Sequence, residues 1–228
     1  ADTALLLNYD AFVSSGLQNS KTQVSLYLEP RVTGRFGVFS SSGLWRNGPF
    51  GGYQRYDTSL RTSHADSATT WEFGDFITRS LAQASAVRLG GVQISRDFAV
   101  RPDIITYPMP RVSGRAALPS TVELLVDGRS VLQTQVNAGE FLLDSLPFST
   151  GAGEAQLVVT DIHGNATSAN LPFYVTNNLL ASGLTDFAVS AGFFRENYAV
   201  RTFSYGDFAA TGSLRHGLSD TITAEIRA

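Results

Sequence analysis

The acids and histidines are the residues best suited to chemistry in this chain, and the spacing of Asp161 and His163 raises the question of a metal site. The two side chains stand two positions apart, beside Gly164. A zinc site needs three or four protein ligands, and only these two lie close together in the sequence. The pattern favours a turn in which Asp161 binds neighbouring backbone amides and His163 is exposed, so we expect no metal.

Two further patterns associated with catalysis or cofactor binding fail on their spacing. The run GAGEA at 151–155 lacks the glycine pattern and the following helix of a phosphate-binding loop, and it predicts a β-turn. Serine, histidine and aspartate all occur, but no G-x-S-x-G nucleophile elbow accompanies them. The chain has no cysteine, which excludes disulfides, thiolate metal sites and cysteine nucleophiles. We expect no enzymatic activity and no cofactor.

The composition favours β-structure and argues against a nucleic-acid partner. Charged residues make up 16% of the chain and aromatic residues 11%, whereas an average soluble domain is roughly 25% charged. The net charge is −3 and Lys21 is the single lysine, so the clustered cations that bind phosphates are missing. No apolar run reaches the length of about 18 residues that a membrane helix needs. Strands of about 9–11 residues could still cross a membrane as a barrel.

The segments that must position any site are long and alternate in polarity. In 22–40, TQVSLYLEPRVTGRFGVFS, apolar residues fall mainly at even positions, which predicts one long strand with a bend or an edge position at Pro30. Similar alternation marks 4–13, 69–77 and 221–228. Strands this long are more typical of a barrel than of a soluble sandwich. The start of the chain shows no signal peptide and its end lies in an alternating run, so we expect a piece of a longer protein.

A central block, from about 115 to 176, differs from the segments on either side because its apolar runs are shorter. Asp127-Gly128 stands between two alternating arms, which predicts a tight hairpin with positive φ at the turn. A second hairpin is predicted to turn near 163–165, and strands of about five residues indicate a small sandwich. We expect its core to contain nine apolar side chains: Val122, Leu124, Val126, Phe141, Leu143, Leu157, Val159, Phe173 and Val175.

Four motifs in this order resemble the outer-membrane fimbrial ushers of the chaperone–usher pathway. Residues 87–110 (VRLGGVQISRDFAVRPDIITYPMP) look like the strand and hairpin that lead into the usher plug. Residues 118–147 and 151–175 are similar to the two halves of the plug, and 179–196 to the return into the barrel. The chain departs from the family at Glu140, where ushers commonly have a proline before the phenylalanine.

The resemblance implies an all-β fold: a partial transmembrane β-barrel of antiparallel strands with an inserted β-sandwich plug domain. Its implied boundaries are 1–112 for the first part of the barrel, with about six strands, 113–177 for the plug, and 178–228 for the continuation of the barrel. The implied function is a translocation pore and assembly platform for chaperone-delivered pilus subunits in the outer membrane of a Gram-negative bacterium. The inserted plug domain is expected to gate this pore. The implied partners are periplasmic chaperone–subunit complexes, pilus subunits and outer-membrane lipid, without nucleic acid or nucleotide.

A plug that moves should be held by polar and ionic contacts, because solvated ion pairs cost little to break. The segment that resembles the hairpin holding the plug supplies four candidates: Arg96, Asp97, Arg101 and Asp103. The plug supplies six: Arg115, Glu123, Arg129, Glu140, Asp144 and Glu154. The alternative for each of them is an ordinary solvated charge. Four further aromatic residues could line a sugar site, but in a membrane barrel they more simply form the interfacial girdle: Trp45, Tyr53, Tyr56 and Trp71.

Other classes of protein make different predictions. A surface β-sandwich that serves as an adhesion or binding module requires polar outward faces throughout, unless the apolar face of 24–38 packs on a second sheet. A diffusion porin would not carry a hairpin domain embedded between its strands. A barrel enzyme would need a catalytic constellation that the sequence lacks.

Overall fold

A computed structural model describes residues 2–15, 22–48, 51–79, 86–143 and 150–228. Its strands are β1 (Ala4–Ser14), β2 (Gln23–Gly34), β3 (Gly37–Arg46), β4 (Gly52–His64), β5 (Thr69–Ile77), β6 (Arg88–Arg96), β7 (Val112–Ala116), β8 (Ser120–Val126), β9 (Arg129–Val136), β10 (Gly139–Leu143), β11 (Gly151–Asp161), β12 (Ala166–Val175), β13 (Thr185–Arg195), β14 (Tyr205–Ser219) and β15 (Ile222–Arg227). One 3-10 helix spans Phe98–Val100. Within the described ranges, no helix is long and apolar enough to cross a membrane.

The chain divides into two compact units by its internal contacts. Unit 1 contains Ala1–Ile104, Asp186–Arg215 and Glu225–Ala228. Unit 2 contains Ile105–Thr185 and His216–Ala224.

Unit 1 contains most of a nine-stranded sheet, whose strand order is β1-β2-β3-β4-β5-β6-β13-β14-β15. The pairs from β1 to β13 are antiparallel, and β6 lies beside β13 although residues 97–184 intervene in the sequence. The fold is therefore all-β with antiparallel strands, as predicted. The sheet ends in two edge strands, β1 and β15, so these strands do not close a barrel.

The strand register places residues of opposite character in alternate cross-strand rows. We call one the apolar row: Leu5, Val32, Phe39, Leu60, Phe73 and Val92. We call its neighbour the polar row: Thr33, Val38, Arg61, Glu72, Gln93 and Ser190. The apolar row is exposed at all positions but Leu60. An adhesion module with polar outward faces throughout is contradicted by this row.

The prediction of one long strand over 22–40 is wrong. The segment folds into the hairpin β2–β3, with Gly34 paired to Gly37 and φ of +110° at Gly37. Phe36 in the turn and Val38 after it keep apolar residues at even positions, so the even-position pattern alone did not show the reversal. Phe39, an exception to the even-position pattern, marks the change, because it joins the apolar row while Val38 joins the polar row. Pro30 is not at an edge: it pairs with β1, and the ladder from β2 to β3 skips it.

Unit 2 contains a four-stranded sheet, β12-β11-β8-β9, and a two-stranded sheet, β10-β7. The predicted hairpin at Asp127-Gly128 is confirmed, with φ of +50° and +75° at the two residues. The second predicted hairpin is confirmed between β11 and β12. The strands of the larger sheet run from 7 to 11 residues and are therefore longer than predicted.

Candidate functional site

The charged segment after β6 is anchored within unit 1 through Asp97. Its carboxylate accepts a hydrogen bond from Ala99 N–H at 3.1 Å and so caps the 3-10 helix. Arg61 Nη2 lies 2.6 Å and Arg79 Nη2 3.5 Å from the carboxylate oxygens. The side chain of Asp97 is only 4% exposed. Asp97 is therefore a buried acid between two arginines, which compensate the cost of removing its charge from water.

The other predicted charges of this segment are also engaged inside unit 1. Arg96 Nη1 donates a hydrogen bond to Ser67 O at 2.5 Å. Arg101 forms a bidentate pair with Asp103, with both N–O distances at 2.7 Å. The hydrogen bonds from Arg101 lower the pKa of Asp103, and those to Asp103 raise the pKa of Arg101. Arg101 also reaches Ala65 O, so these residues hold the segment to the turn between β4 and β5.

The candidate charges of unit 2 behave differently from those of unit 1. Arg115 and Glu140 oppose each other in the β7–β10 register, and both are exposed. Arg129 and Glu154 are exposed and Glu123 is half-buried. Among the described residues, none of these five forms an ion pair. Asp144 lies outside the described residues. Unit 2 thus presents charges of both signs that are open to a partner.

An apolar core holds those charges in place on unit 2. Five of the residues predicted for it, Val122, Leu124, Leu143, Leu157 and Val175, belong to its buried cluster. The other four, Val126, Phe141, Val159 and Phe173, are partly buried against that cluster. The rings of Phe141 and Phe173 cover Gly114 and Gly153, where an added Cβ would lie 2.4 and 2.3 Å from a ring carbon. The core also includes Val112 and Ala155, which the sequence reasoning missed.

A second buried ionic network in unit 1 was missed entirely. It joins the ends of β4, β5, β13 and β14. Asp75, whose side chain is 1% exposed, accepts hydrogen bonds from Arg55 Nη1 and, at 2.6 Å, from Tyr205 Oη. Arg195 Nε lies 3.9 Å from the same carboxylate, an ion pair too long for a hydrogen bond. Charges inside aromatic strand runs of a low-charge chain are the signal that could have pointed to it.

The four aromatic residues assigned to a girdle do not share one environment. Trp45 pairs with Tyr53 across β3 and β4, and both are exposed. Trp71 is exposed and stacks on Phe73 at 6.2 Å between ring centroids. Tyr56 is instead half-buried, because β4 carries an extra residue between Arg55 and Thr58 that breaks the alternation there. Its ring packs 6.3 Å from Tyr27 and 5.5 Å from Tyr198.

The turn at Asp161 matches the prediction of a local backbone-binding acid. The carboxylate accepts hydrogen bonds from the backbone N–H of His163 at 2.8 Å and of Asn165 at 2.9 Å. The side-chain amide of Asn165 donates a third at 2.9 Å and is the main cause of the lowered pKa of Asp161. In the part of the chain that the structure describes, no three acids or histidines are grouped to hold a metal ion.

Several curated relatives of this chain are outer membrane usher proteins. FaeD, an outer membrane usher protein of Escherichia coli, is 28% identical over 195 residues, which are 83% of this chain and 23% of FaeD. YehB, an outer membrane usher protein of E. coli K12, is 26% identical over 164 residues, which are 72% of this chain and 19% of YehB. The chain thus spans about a fifth of the length of these curated relatives.

A solved structure has a similar fold. The cryo-EM structure of the E. coli P pilus tip assembly intermediate PapC-PapD-PapK-PapG matches with a TM-score of 0.62 at 18% identity, over 98% of this chain and 29% of the matched chain. At this identity the likeness supports the fold alone. The model of the family described as "Usher: Outer membrane usher protein" matches residues 40–226, well over half of the chain. The chain therefore belongs to the outer membrane usher family, whose place is the outer membrane of Gram-negative bacteria.

Proposed function

We propose that this chain forms part of the wall of a secretion pore for pilus subunits, and that its β-sandwich is the plug that gates the pore. The proposed boundaries are 1–112 and 178–228 for the wall and 113–177 for the plug. The observation that carries the proposal is the pair of rows in the nine-stranded sheet. Soluble proteins rarely expose a continuous apolar surface of this extent, whereas a membrane barrel has an apolar outer band and a polar lumen.

The lumen-facing role suits the polar row. Gln93 is 0% and Ser190 1% exposed, and they hydrogen-bond each other at 2.8 Å. Gln93 Nε2 also donates to Glu72 at 2.6 Å. Arg61 lies 3.8 Å from Glu72. Cross-strand polar pairs of this kind stabilise a polar face without apolar packing.

The lengths of the strand connections support an assignment of which end of the wall faces the periplasm. The β2–β3 and β4–β5 turns, at the end of the sheet where β6 finishes and β13 begins, have two and four residues. The connections at the opposite end, such as 47–51, 78–87 and 196–204, have five to ten. Outer-membrane barrels have short periplasmic turns and longer outer loops. The sequence that contains the plug would then leave and re-enter the wall on the periplasmic side, where subunits arrive.

Tethering at both ends fits a gate that moves without being lost. Because β6 and β13 are antiparallel neighbours, both connections to the inserted sequence leave the same end of the sheet. We propose that charges on the plug, Arg115, Glu123, Arg129, Glu140, Asp144 and Glu154, make breakable contacts with the wall. In the wall segment, Arg96, Arg101 and Asp103 would meet them directly. Asp97, buried between Arg61 and Arg79, would instead hold that segment in position.

The parent protein would receive periplasmic chaperone-bound pilus subunits and pass them through a barrel that contacts outer-membrane lipid. The PapC-PapD-PapK-PapG assembly supports these partners, because a chain of this fold occurs there in a pilus assembly intermediate. The process would be non-enzymatic, without nucleotide or nucleic acid. It also needs the larger part of the usher, since this chain matches about a fifth of it.

Planar-bilayer conductance of the full-length parent tests the gate. Deletion of 113–177 should convert a mostly closed channel into one with large, steady current, because the obstruction is gone while the wall remains. The matched control is Leu142→Ala, an exposed position of β10 in the same domain, which should leave the current low. Folding of each variant is checked by comparing its gel mobility before heating with its mobility after heating. A deletion protein that folds but conducts no more than the control rejects the gate.

A further inference from the structure

The connection from β13 to β14, residues 196–204, is held down by side chains rather than left open. Arg195, whose side chain is 0% exposed, donates from Nη1 to Ser204 O at 3.2 Å and from Nη2 to Arg201 O at 3.3 Å. The same guanidinium pairs with Asp75 of β5 and lies over the ring of Tyr205 at 4.9 Å. One buried arginine therefore fixes the backbone of the connection to the β5 carboxylate.

The far side of the connection is fixed to other strands. Tyr198 Oη donates to Asp57 Oδ2 at 3.1 Å, and Arg88 of β6 lies 3.9 Å over the Tyr198 ring. Arg55 lies 4.3 Å over the ring of Phe203. Asp57 and Arg55 belong to β4, so the connection reaches past β6 and β5. Three strand spacings amount to about 14 Å.

The backbone of the connection also indicates one imposed conformation. Asn197, Ala199 and Phe203 have φ of +47°, +60° and +58°. Residues with a Cβ keep left-handed conformations only where their surroundings determine them. Three such residues within nine would not persist in a loosely held loop.

We infer that residues 196–204 act as a strap. They connect β13 and β14 to β4 and β5 and so reinforce the pairing between β6 and β13. Neighbouring strands elsewhere in this sheet follow one another in sequence, whereas β6 and β13 are separated by residues 97–184. Pairing across such an insertion has a larger loop-closure cost, so it gains most from a second tie. The strap itself does not depend on the role of the plug. Only its consequence, a wall that stays closed while the plug moves, rests on the proposed function.

Trypsin cleavage after Arg201 in the full-length parent tests the strap. The scissile carbonyl is the one that accepts the Arg195 hydrogen bond, so cleavage requires the strap to open. We expect the unaltered protein to resist, Asp75→Asn to be cut after Arg201 about tenfold faster or more, and Tyr198→Phe a few-fold faster. Asp207→Asn, an exposed acid of β14, is the matched control and should resist. Mass spectrometry of the fragments locates the cut.

The milder variant keeps the test decisive if Asp75→Asn fails to fold, since Tyr198→Phe removes one hydroxyl. Rapid cutting of the unaltered protein, or equal rates for the folded network variants and Asp207→Asn, overturns the inference. The series is repeated in a protein lacking 113–177. There the variants should still be cut faster, whatever the conductance shows, so failure of the gate and failure of the strap give different results.

Discussion

Units 1 and 2 bury opposite kinds of residue. The core of unit 2 is apolar, with Val122 and Leu124 at 0% exposure. In unit 1 the buried set is largely polar: Arg55, Thr70, Asp75, Thr78, Gln93, Ser95, Asp97, Ser190 and Arg195. Its exposed set includes Leu, Phe, Trp and Tyr side chains throughout the sheet. One chain thus contains a domain with an apolar interior and a sheet whose buried side chains are largely polar.

The contrast follows from the solvent that each region is built for. In water, burial of apolar surface is the main favourable contribution to folding, about 25 cal/mol per Å². Facing lipid, an exposed leucine or phenylalanine loses nothing, and stability comes from closed hydrogen-bond ladders and paired polar groups. The two regions should therefore respond in opposite ways to the same kind of substitution.

The largest effect is expected from a cavity in unit 2. Leu124→Ala should reduce the stability of the sandwich by about 2–5 kcal/mol, because the lost methyl groups leave an unfilled space. Hydrogen exchange of the full-length parent should show faster exchange in β8 and β11 and unchanged protection in β5. Leu142→Ala, at a 59% exposed position, is the control and should change exchange little. Equal loss of protection in β5 would show that the two units do not have separate cores.

The converse substitution belongs on the sheet of unit 1. Phe73→Arg places a charge in the apolar row and should cost about 2–4 kcal/mol if that position lies near the middle of the bilayer. Thr33→Arg, in the polar row, is the matched control and should cost little. Folding into lipid vesicles, followed by urea titration and gel mobility, gives the comparison. Similar losses for both variants would contradict the assignment of the two faces.

A smaller effect is expected from removing a buried amide. Gln93→Leu leaves the hydroxyl of Ser190 and the backbone N–H of Arg79 without their acceptor, and should cost about 1–3 kcal/mol although leucine is apolar. Gln133→Leu at an exposed position of β9 should be nearly neutral. The same vesicle titration measures both. A gain in stability from Gln93→Leu would indicate that unit 1 has an ordinary apolar interior.

The smallest effect is expected for the stability of unit 2 when the pH is lowered. The lowered pKa of Asp161 means that the folded turn favours the carboxylate. The stabilisation that the Asp161 carboxylate gives to the folded state is complete above the pKa of the unfolded chain, about 3.9. This stabilisation is lost as the pH falls through the lower pKa of the folded state. Asp161→Asn should therefore lose part of the difference in unfolding temperature of unit 2 between pH 6 and pH 3. An unchanged difference would mean that the turn does not couple to folding.

Local signals were sufficient for much of unit 2. Asp127-Gly128 supplies the positive φ of a tight turn and defined the β8–β9 hairpin without reference to any other strand. Alternation of Val122 and Leu124 placed both on one face, and the structure buries both. In unit 1 the same rule misread 22–40 as one strand, because Phe36 in the turn and Val38 after it continue the even-position apolar pattern of β2. The departure at Phe39 was the local sign of the reversal.

The sequence by itself determined the all-β class, the difference between the long alternating segments and the central block, and the usher family. Polarity alternation, turn residues and motifs can all be read directly along the chain. Only the tertiary structure decided which charges meet. Arg55 and Tyr205, 150 positions apart, share a 2.8 Å hydrogen bond beside Asp75. No periodicity relates such positions, since their contact depends on the sheet order that brings β13 next to β6. Burial then turns these scattered charges into one network, because an ionised group removed from water must find a partner nearby.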